Sequence, residues 1–284
     1  MRSTVRQRDA VAAWEVRRPS RPSRVAGVSI AGFRYRSTGR VDLRAVPHPA
    51  VTLALDWGDG PLVVDDATGW RQRGGLVARL AFDAVRVQGE KIECVQVRLS
   101  PVVAYAVLGI SPAELDHAVV AVDGLWGRDL SRIREQLGEA RPWEDRFGLT
   151  EALLTRRRET GPSVDPEVAW VWNQIAADRG WSRIDELAVE VGWSRKRLWS
   201  RFRSQIGLPP KRAAKLVRFD HAAHRLAAGE EAARVAAEGG YVDQSHLHRD
   251  VLAFSRATPA TVAGEEWLAV DDIAWGTFVQ DPRP

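Results

Sequence analysis

Residues 184–207 read IDELAVEVGWSRKRLWSRFRSQIG: a helix, a tight turn and a second, strongly basic helix. Leu187, Ala188 and Val191 give the first helix an apolar stripe at helical spacing, the primary sign of a face turned toward a core. Gly192 ends that helix, because glycine takes the left-handed backbone a helix C-terminus often needs. Ser194 stands at an N-cap position, where its hydroxyl can accept an orphan backbone N–H. Leu198 and Phe202, four residues apart, form the buried seam of the second helix, and Arg195, Lys196, Arg197, Trp199, Arg201 and Arg203 occupy its other faces. Helix, glycine turn and cationic second helix match a helix-turn-helix, whose second helix lies in the DNA major groove. Taken alone, the stretch also fits a surface hairpin with a solvated basic face, since short motifs match by chance.

The same grammar returns in residues 232–259, AARVAAEGGYVDQSHLHRDVLAFSRATP. Ala188 precedes Gly192 by four residues, and Ala236 precedes Gly240 by four. A bulky aromatic follows each glycine, Trp193 and Tyr241, and each second helix carries a leucine (Leu198, Leu247) and a later aromatic (Phe202, Phe254). Two such units joined by a helix are much harder to obtain by chance than one.

At these residues the sequence resembles the DNA-binding domain of the AraC/XylS family of bacterial transcription regulators. The resemblance covers residues 164–267. It rests on the run GYVDQSHLHRDVLAFSRATPA over 240–260 and on the connection GLPPKRAAKLVRFDHAAHRLAAG before it. It implies a seven-helix domain whose two helix-turn-helix units bind successive major grooves. Where the family usually has a phenylalanine this chain has Val251, read as a packing change that leaves DNA reading intact.

A chain of 284 residues suggests two domains. Its 45% hydrophobic content is enough for packed cores. The single cysteine, Cys94, permits no intrachain disulfide and fits a reducing cytoplasm. No stretch approaches the roughly 18 apolar residues of a membrane span, and the basic N-terminus lacks the apolar run of a signal peptide. Arginine in place of lysine, with abundant Ala, Val and Gly, suggests a high-GC bacterial genome.

The net charge of +4 is mild, so its distribution matters more. Residues 181–225 hold 11 basic and 4 acidic side chains, a balance of +7, whereas residues 226–284 hold 4 basic and 10 acidic, a balance of −6. The first unit therefore carries the electrostatic footprint of phosphate binding. Residues 1–40 hold ten arginines against Asp9 and Glu15. Residues 1–24, with RRPSRPSR over 17–24, read as a basic, flexible or extended arm, more a solvated tail than a nucleic-acid contact.

From residue 25 to 99 the pattern is β-like. Residues 51–57 form a strand candidate ending at a Gly-Asp-Gly turn, and residues 76–82 and 94–99 form two more. Val95, Val97 and Leu99 alternate with Gln96 and Arg98, the sign of a half-buried strand. Short strands with glycine-rich breaks suggest a small barrel or sandwich. The family resemblance implies a cupin-like barrel here. Residues 100–117 read as two short helices, each opened by a Ser-Pro pair. Residues 128–137 and 143–157 read as amphipathic helices, the latter placing Phe147 and Leu154 on one stripe with Ala152 beside it. Related regulators often pair subunits through such helices, which implies a homodimer.

Asp165 reads as the N-cap of the next helix, with Pro166 at its first position and Val168, Trp172 and Ile175 as its core face. A connecting helix from Pro209-Pro210 to about Ala228 spans roughly 28 Å at 1.5 Å per residue. Adjacent turns of the major groove lie about 34 Å apart, and a bent duplex closes the gap. Base readout should fall to the outer face of each second helix. In the first unit the candidates are Ser194, Arg195, Lys196, Trp199, Ser200 and Arg203; in the second, Gln244, Ser245, His246 and Arg249, with Asp243 as N-cap. Arginine can pair with guanine O6 and N7, and glutamine with adenine N6 and N7.

Enzymatic readings find little footing. His246 and His248 are two apart and point to different faces of a helix; His221 and His224 lack a partnering cysteine or carboxylate pair. His48 and His117 alone do not make the histidine cluster of a metal-binding cupin. Cys94 lies in an apolar alternating strand and reads as a core residue. No phosphate loop, dinucleotide fingerprint or nucleophile elbow is visible. No catalytic residue, metal or cofactor is expected.

The fold expected is α+β: an N-terminal β-rich domain with flanking helices, then an all-α domain with two helix-turn-helix units. The expected divisions are an arm at 1–24, a regulatory or dimerisation domain at 25–160, the DNA-binding domain at 163–268 and a tail at 269–284, either a short strand or a loose end. The function expected is a cytoplasmic, sequence-specific DNA-binding transcription regulator whose N-terminal domain senses a small molecule, dimerises, or both. Its partners would be operator DNA, a small-molecule effector and, for an activator, RNA polymerase. The alternatives are an N-terminal domain that docks a protein partner or carries an enzymatic activity.

Overall fold

The computed structural model describes residues 12–58, 60, 62–66 and 68–275. Among the described residues the N-terminal half holds ten strands: β1 (Trp14–Arg17), β2 (Val28–Tyr35), β3 (Val41–Ala45), β4 (Val51–Asp56), β5 (Val63–Asp65), β6 (Arg71–Arg73), β7 (Leu76–Ala78), β8 (Val85–Gly89), β9 (Glu93–Leu99) and, after a helix and a 3₁₀ turn, β10 (Val119–Ala121). They form two antiparallel sheets, one of order β1-β2-β9-β4-β7-β10 and one of order β3-β8-β5-β6. The expected strand at 76–82 is realised only as β7, after which the Arg79 guanidinium donates to the His117 carbonyl at 3.0 Å.

Alternation assigns the faces of the six-stranded sheet, because successive side chains of a strand point to opposite sides. Val28 and Ile30, Leu53 and Leu55, and Val95, Val97 and Leu99 pack outward against helices. Ala31, Phe33, Ala54, Leu76 and Cys94 turn inward toward Val41, Val64 and Ile92 of the second sheet and its margins. The helices on the outer face are α1 (Pro101–Leu108), α2 (Asp123–Trp126), α3 (Arg128–Glu139) and α4 (Trp143–Thr160), with a 3₁₀ turn at Pro112–Glu114. Of the two Ser-Pro openings, only Ser111 caps, accepting from the Ala113 N–H at 3.1 Å. Gly32 is glycine because the Trp143 ring lies on it; a Cβ there would stand 2.3 Å from that ring. Leu130, Ile133 and Leu137 of α3, and Phe147, Leu153 and Leu154 of α4, are all buried. Ala152 is exposed, so Leu153 takes the place expected for it.

Seven helices follow: α5 (Pro166–Ala177), α6 (Ile184–Glu190), α7 (Arg195–Ile206), α8 (Pro210–Ala227), α9 (Ala232–Glu238), α10 (Gln244–Ser255) and α11 (Pro259–Ala263). Val168, Trp172 and Ile175 are fully buried, as their spacing predicts. Asp165 does not cap α5. Its carboxylate accepts both Arg201 nitrogens instead, at 2.7 and 2.8 Å. A bidentate guanidinium is the stronger partner for a carboxylate, and it holds the Asp165 carboxyl below its ordinary range.

Two segments depart from the sequence reading. Of the expected flexible arm, residues 1–11 lie outside the described residues, but Trp14–Arg17 pairs with β2 as the edge strand. Trp14 packs on Phe33 and Tyr35, and Glu15 gathers Arg17, Arg34 and Arg36. Burial alone would raise the Glu15 carboxyl, but Arg36 and Arg17 hold it at about 2. Ser20 and Ser23 then bond Glu144 and Glu151 of α4. Charge that looks solvated in the sequence is thus partnered across the sheet edge.

The second is a helix, α12 (Glu266–Trp275), which spans the expected boundary at 268/269. Its Trp267, Val270 and Ala274 are buried among Ala31, Phe33 and Cys94, on the inner side of the barrel. Asp271 pairs there with Arg98 of β9, their side chains 3% and 5% exposed. Strand β9 is therefore buried on both faces and not on one, because its inward polar residues meet a partner from the end of the chain. Just outside, the His224 Nδ1–H of α8 donates to Asp272 at 2.7 Å, and the ring lies 3.6 Å from Asp271 and 3.7 Å from Asp220. Elsewhere on the same seam, the Arg44 guanidinium donates to the Ser255 carbonyl at 3.1 Å and Arg256 pairs with Asp83 at 2.8 Å.

Two measurements follow from these burials. Burial disfavours a charged His224, but the Asp272 hydrogen bond and the charges of Asp220, Asp271 and Asp272 overcome it and raise the ring to about 9. A raised histidine stabilises the fold fully below its ordinary value near 6.5 and loses that contribution as pH rises through about 9. Asp220, pushed by burial up to about 6, titrates below this window. The melting temperature should fall between about pH 7 and 10, and His224→Gln should flatten that fall. The Cys94 thiol is buried and pushed up to about 12, chiefly by burial. It should resist a thiol reagent in the native chain and react at once in denaturant, since the thiolate is the reactive form.

Candidate nucleic-acid interface

The first unit is built around its turn. Gly192 adopts a φ of +68°, and the Trp193 N–H donates to the Ala188 carbonyl at 2.9 Å. This folds Trp193 into the core and sets Ser194 at the head of α7, where its hydroxyl accepts from the Arg197 N–H at 3.2 Å. Leu198, Phe202, Gln205 and Ile206 are buried, which fixes the rotation of the helix and turns the other side chains out. Ser194, Arg195, Lys196, Trp199, Ser200 and Arg203 are all exposed. Arg195, Trp199 and Arg203 are successive i, i+4 neighbours, so they share one face, with Lys196 and Ser200 beside them. The Arg203 guanidinium lies 5.1 Å from the Trp199 ring centre. Arg195 stands 3.5 Å from Asp185, both well exposed, a pairing worth little in water. Arg201 is held by Asp165 and Arg197 lies over Trp193 at 4.4 Å, so these two are committed to the domain itself.

The second unit repeats the construction. Gly240 has a φ of +71°, Tyr241 is buried, and the Asp243 carboxylate accepts from the His246 N–H at 2.6 Å. Leu247, Val251 and Phe254 are buried, with Val251 fully packed. Gln244, Ser245 and Arg249 face outward. His246 is set apart. Its ring stands edge-on to Tyr241 at 5.4 Å, its Nδ1 lies 3.4 Å from the Val242 nitrogen and its Nε2 3.7 Å from Asp250. It is half-buried and turned back toward its own turn. Val242, between the buried Tyr241 and the cap Asp243, is 88% exposed at the mouth of α10.

Helix α8 joins the units and is cationic on its outer side, with Lys211 and Arg212 exposed. Its Lys215 reaches Asp250 of α10 at 3.3 Å, and its Arg218 donates to the Gly240 carbonyl at 3.2 Å. The two units thus share one core and are not beads on a string.

Between the two sheets lies a second concavity of about 100 Å³, walled by Ala54, Leu62 and Leu76 and carrying Gln96, Arg98 and Trp267. His48 borders it. Its Nδ1 accepts from the Ala50 N–H at 3.3 Å and its Nε2 lies 2.9 Å from Thr52 Oγ1. Burial first, then the charges of Arg98 and His224, pull it well below its ordinary value, so the ring is neutral. Among the described residues no three His, Cys, Asp or Glu are grouped to hold a metal ion, and no helix is long and apolar enough to cross a membrane.

Residues 187–264 match the family model described as a helix-turn-helix domain. No curated protein matches the chain. Among solved structures, ToxT from Vibrio cholerae is 11% identical with a TM-score of 0.46, over 84% of this chain and 98% of that one. ToxT of V. cholerae strain SCE256 bound to an unsaturated fatty acid is 10% identical with a TM-score of 0.44, over 86% and 96%. The AraC-like transcriptional activator CuxR is 10% identical with a TM-score of 0.22, over 99% and 93%. These three likenesses are slight. Residues 187–264, which take in most of α6 and all of α7 to α11, are a helix-turn-helix domain.

Proposed function

We propose that α7 and α10 enter successive major grooves of one DNA face, and that an N-terminal domain at 25–160 senses a small molecule in the cavity between its sheets. The DNA-binding domain extends over 163–268, and α12 belongs to both halves. The observation that carries the DNA reading is the outward stripe Arg195, Lys196, Trp199, Ser200 and Arg203 on a helix whose rotation is locked by its buried side. Helix α8, 18 residues long, spans about 27 Å at 1.5 Å per residue, close to the spacing of adjacent groove turns. Arg203 and Arg195 are the base-reading arginines; Lys196 and Lys211 of α8 position the phosphates, whereas Arg212 is stacked on Phe82 at 3.9 Å. Gln244, Ser245 and Arg249 read the second groove, and Val242 supplies an apolar contact at its edge.

Sensing is favoured over subunit pairing because the apolar stripes of α3 and α4 are spent on the core. A homodimer would need another surface. The regulator works in the bacterial cytoplasm, without catalysis.

Selection of bound DNA from a random pool, with the intact chain and with an Arg195→Ala, Lys196→Ala, Arg203→Ala variant, tests this. The intact chain should select two half-elements about one helical turn apart. The variant should lose sequence preference in one half-element by at least about tenfold, since a bidentate arginine–guanine contact is worth about 1–3 kcal/mol. Its affinity should also fall less steeply with salt. An unchanged motif would remove α7 from base reading.

A further inference from the structure

The same turn is built twice in the helical half, and its glycine meets different surroundings each time. Gly192 and Gly240 both adopt a left-handed backbone, with φ of +68° and +71°. A Cβ added at Gly192 would meet nothing within 4 Å, so backbone conformation accounts for that glycine. A Cβ added at Gly240 would stand 2.9 Å from the Trp181 ring. The second glycine therefore does more than turn the chain. It leaves room for a tryptophan from the loop between α5 and α6, which leads into the first unit.

That loop is locked in place. Arg179 and Gly180 are both left-handed, with φ of +54° and +78°. The Gly180 N–H donates to the Ile175 carbonyl at 2.8 Å and the Trp181 N–H to the Asp178 carbonyl at 3.0 Å, which closes the end of α5. Gly180 also lies against α8, where a Cβ would stand 2.1 Å from the Ala214 carbonyl oxygen. One turn further along α8, Arg218 donates to the Gly240 carbonyl at 3.2 Å, and its guanidinium lies 5.4 Å from the Tyr241 ring centre. The turn of the second unit is thus gripped from two directions, by Arg218 from the connecting helix and by Trp181 from the first unit.

Trp181 is 54% exposed, so burial in a core is not what places a tryptophan there. What its ring does is reach the second unit directly. Lys215 and Arg218 tie that unit to α8. Ties to one helix leave a body free to rock about it, and a contact to another body away from that helix removes the freedom. We propose that Trp181 is a spacing residue: by holding the turn at Gly240 it fixes α10 relative to α7, and with them the number of base pairs the chain accepts between its half-elements. This rests on the reading that α7 and α10 enter successive grooves, and it names the residue that sets their spacing specificity.

Two measurements on the full chain test it, the first without DNA. Ser200 of α7 and Ser245 of α10 are exposed and Cys94 is buried, so nitroxides on Ser200→Cys and Ser245→Cys report the distance between the recognition helices by pulsed electron double resonance. Trp181→Ala should broaden the distance distribution by about twofold or more, and Trp181→Phe should restore it. The second measurement, on chains without labels, uses duplexes with one base pair inserted or removed between the selected half-elements. The chain with Trp181 should lose at least about tenfold in affinity for either, because simultaneous engagement fails. Trp181→Ala should lose less than about threefold and keep its preference within each half-element. Trp181→Leu, apolar but without a ring, gives the same readings should Trp181→Ala not fold. The proposal is overturned if the ring-less variants keep the narrow distribution, if they lose affinity alike at every spacing, or if they lose preference within one half-element, which would make Trp181 a reading residue. Should the chain with Trp181 select no paired half-elements, the reading of successive grooves fails by itself, and the distance distributions still decide whether Trp181 holds the two units.

Discussion

A charged side chain inside a sheet sandwich must be paired or removed, and in this chain that requirement falls on Arg98. Its strand sits at the centre of the six-stranded sheet, between β2 and β4. The outer face is covered by α1 and α4, so the inner face has to be closed by something that brings a carboxylate. Helix α12 does so with Asp271 and seals the rest with Trp267, Val270 and Ala274. The N-terminal half is therefore finished only when the last helix arrives. The two halves of the chain share a core because of it.

The same logic of commitment sorts the arginines of α7. A guanidinium already paired or stacked inside the domain is part of its architecture, and one that faces water is available to a ligand. Arg201 belongs to Asp165 and Arg197 to Trp193. Among the described residues, Arg195 meets the solvent-screened Asp185 and Arg203 the exposed ring of Trp199. Composition cannot separate these four residues, which are all basic and close in sequence. The division depends on Asp165, just before α5, and on Trp193 in the turn.

Local pattern made the helical half legible. The glycines at 192 and 240, the caps Ser194 and Asp243 and the seams Leu198–Phe202 and Leu247–Phe254 each act within a few residues, so the string carries them whole. The β half was legible where alternation was clean, in β4 and β9, and illegible where a partner decides the outcome. Residues 14–17 look like part of a basic tail until β2 pairs with them. Gln96 and Arg98 look solvent-facing, because an alternating strand with polar residues on one side normally faces water there. Asp165 has the right position for a cap, yet Arg201, 36 residues on, takes its carboxylate. In each case the missing information is a contact made at long range.

Helix α8 is where the constraints of both halves meet. One side of it holds the second unit in place, through Lys215 to Asp250 and Arg218 to the Gly240 carbonyl. Another meets α12 through His224, which faces Asp271 and Asp272 there as well as Asp220 of its own helix. The helix is 18 residues of continuous backbone hydrogen bonding, stiff enough to move as one body. A shift at its His224 end is therefore not absorbed locally. The contacts of α8 reach the turn at Gly240 on one side and α12 on another. The two halves of the chain are therefore joined through one stiff element and not through a loop.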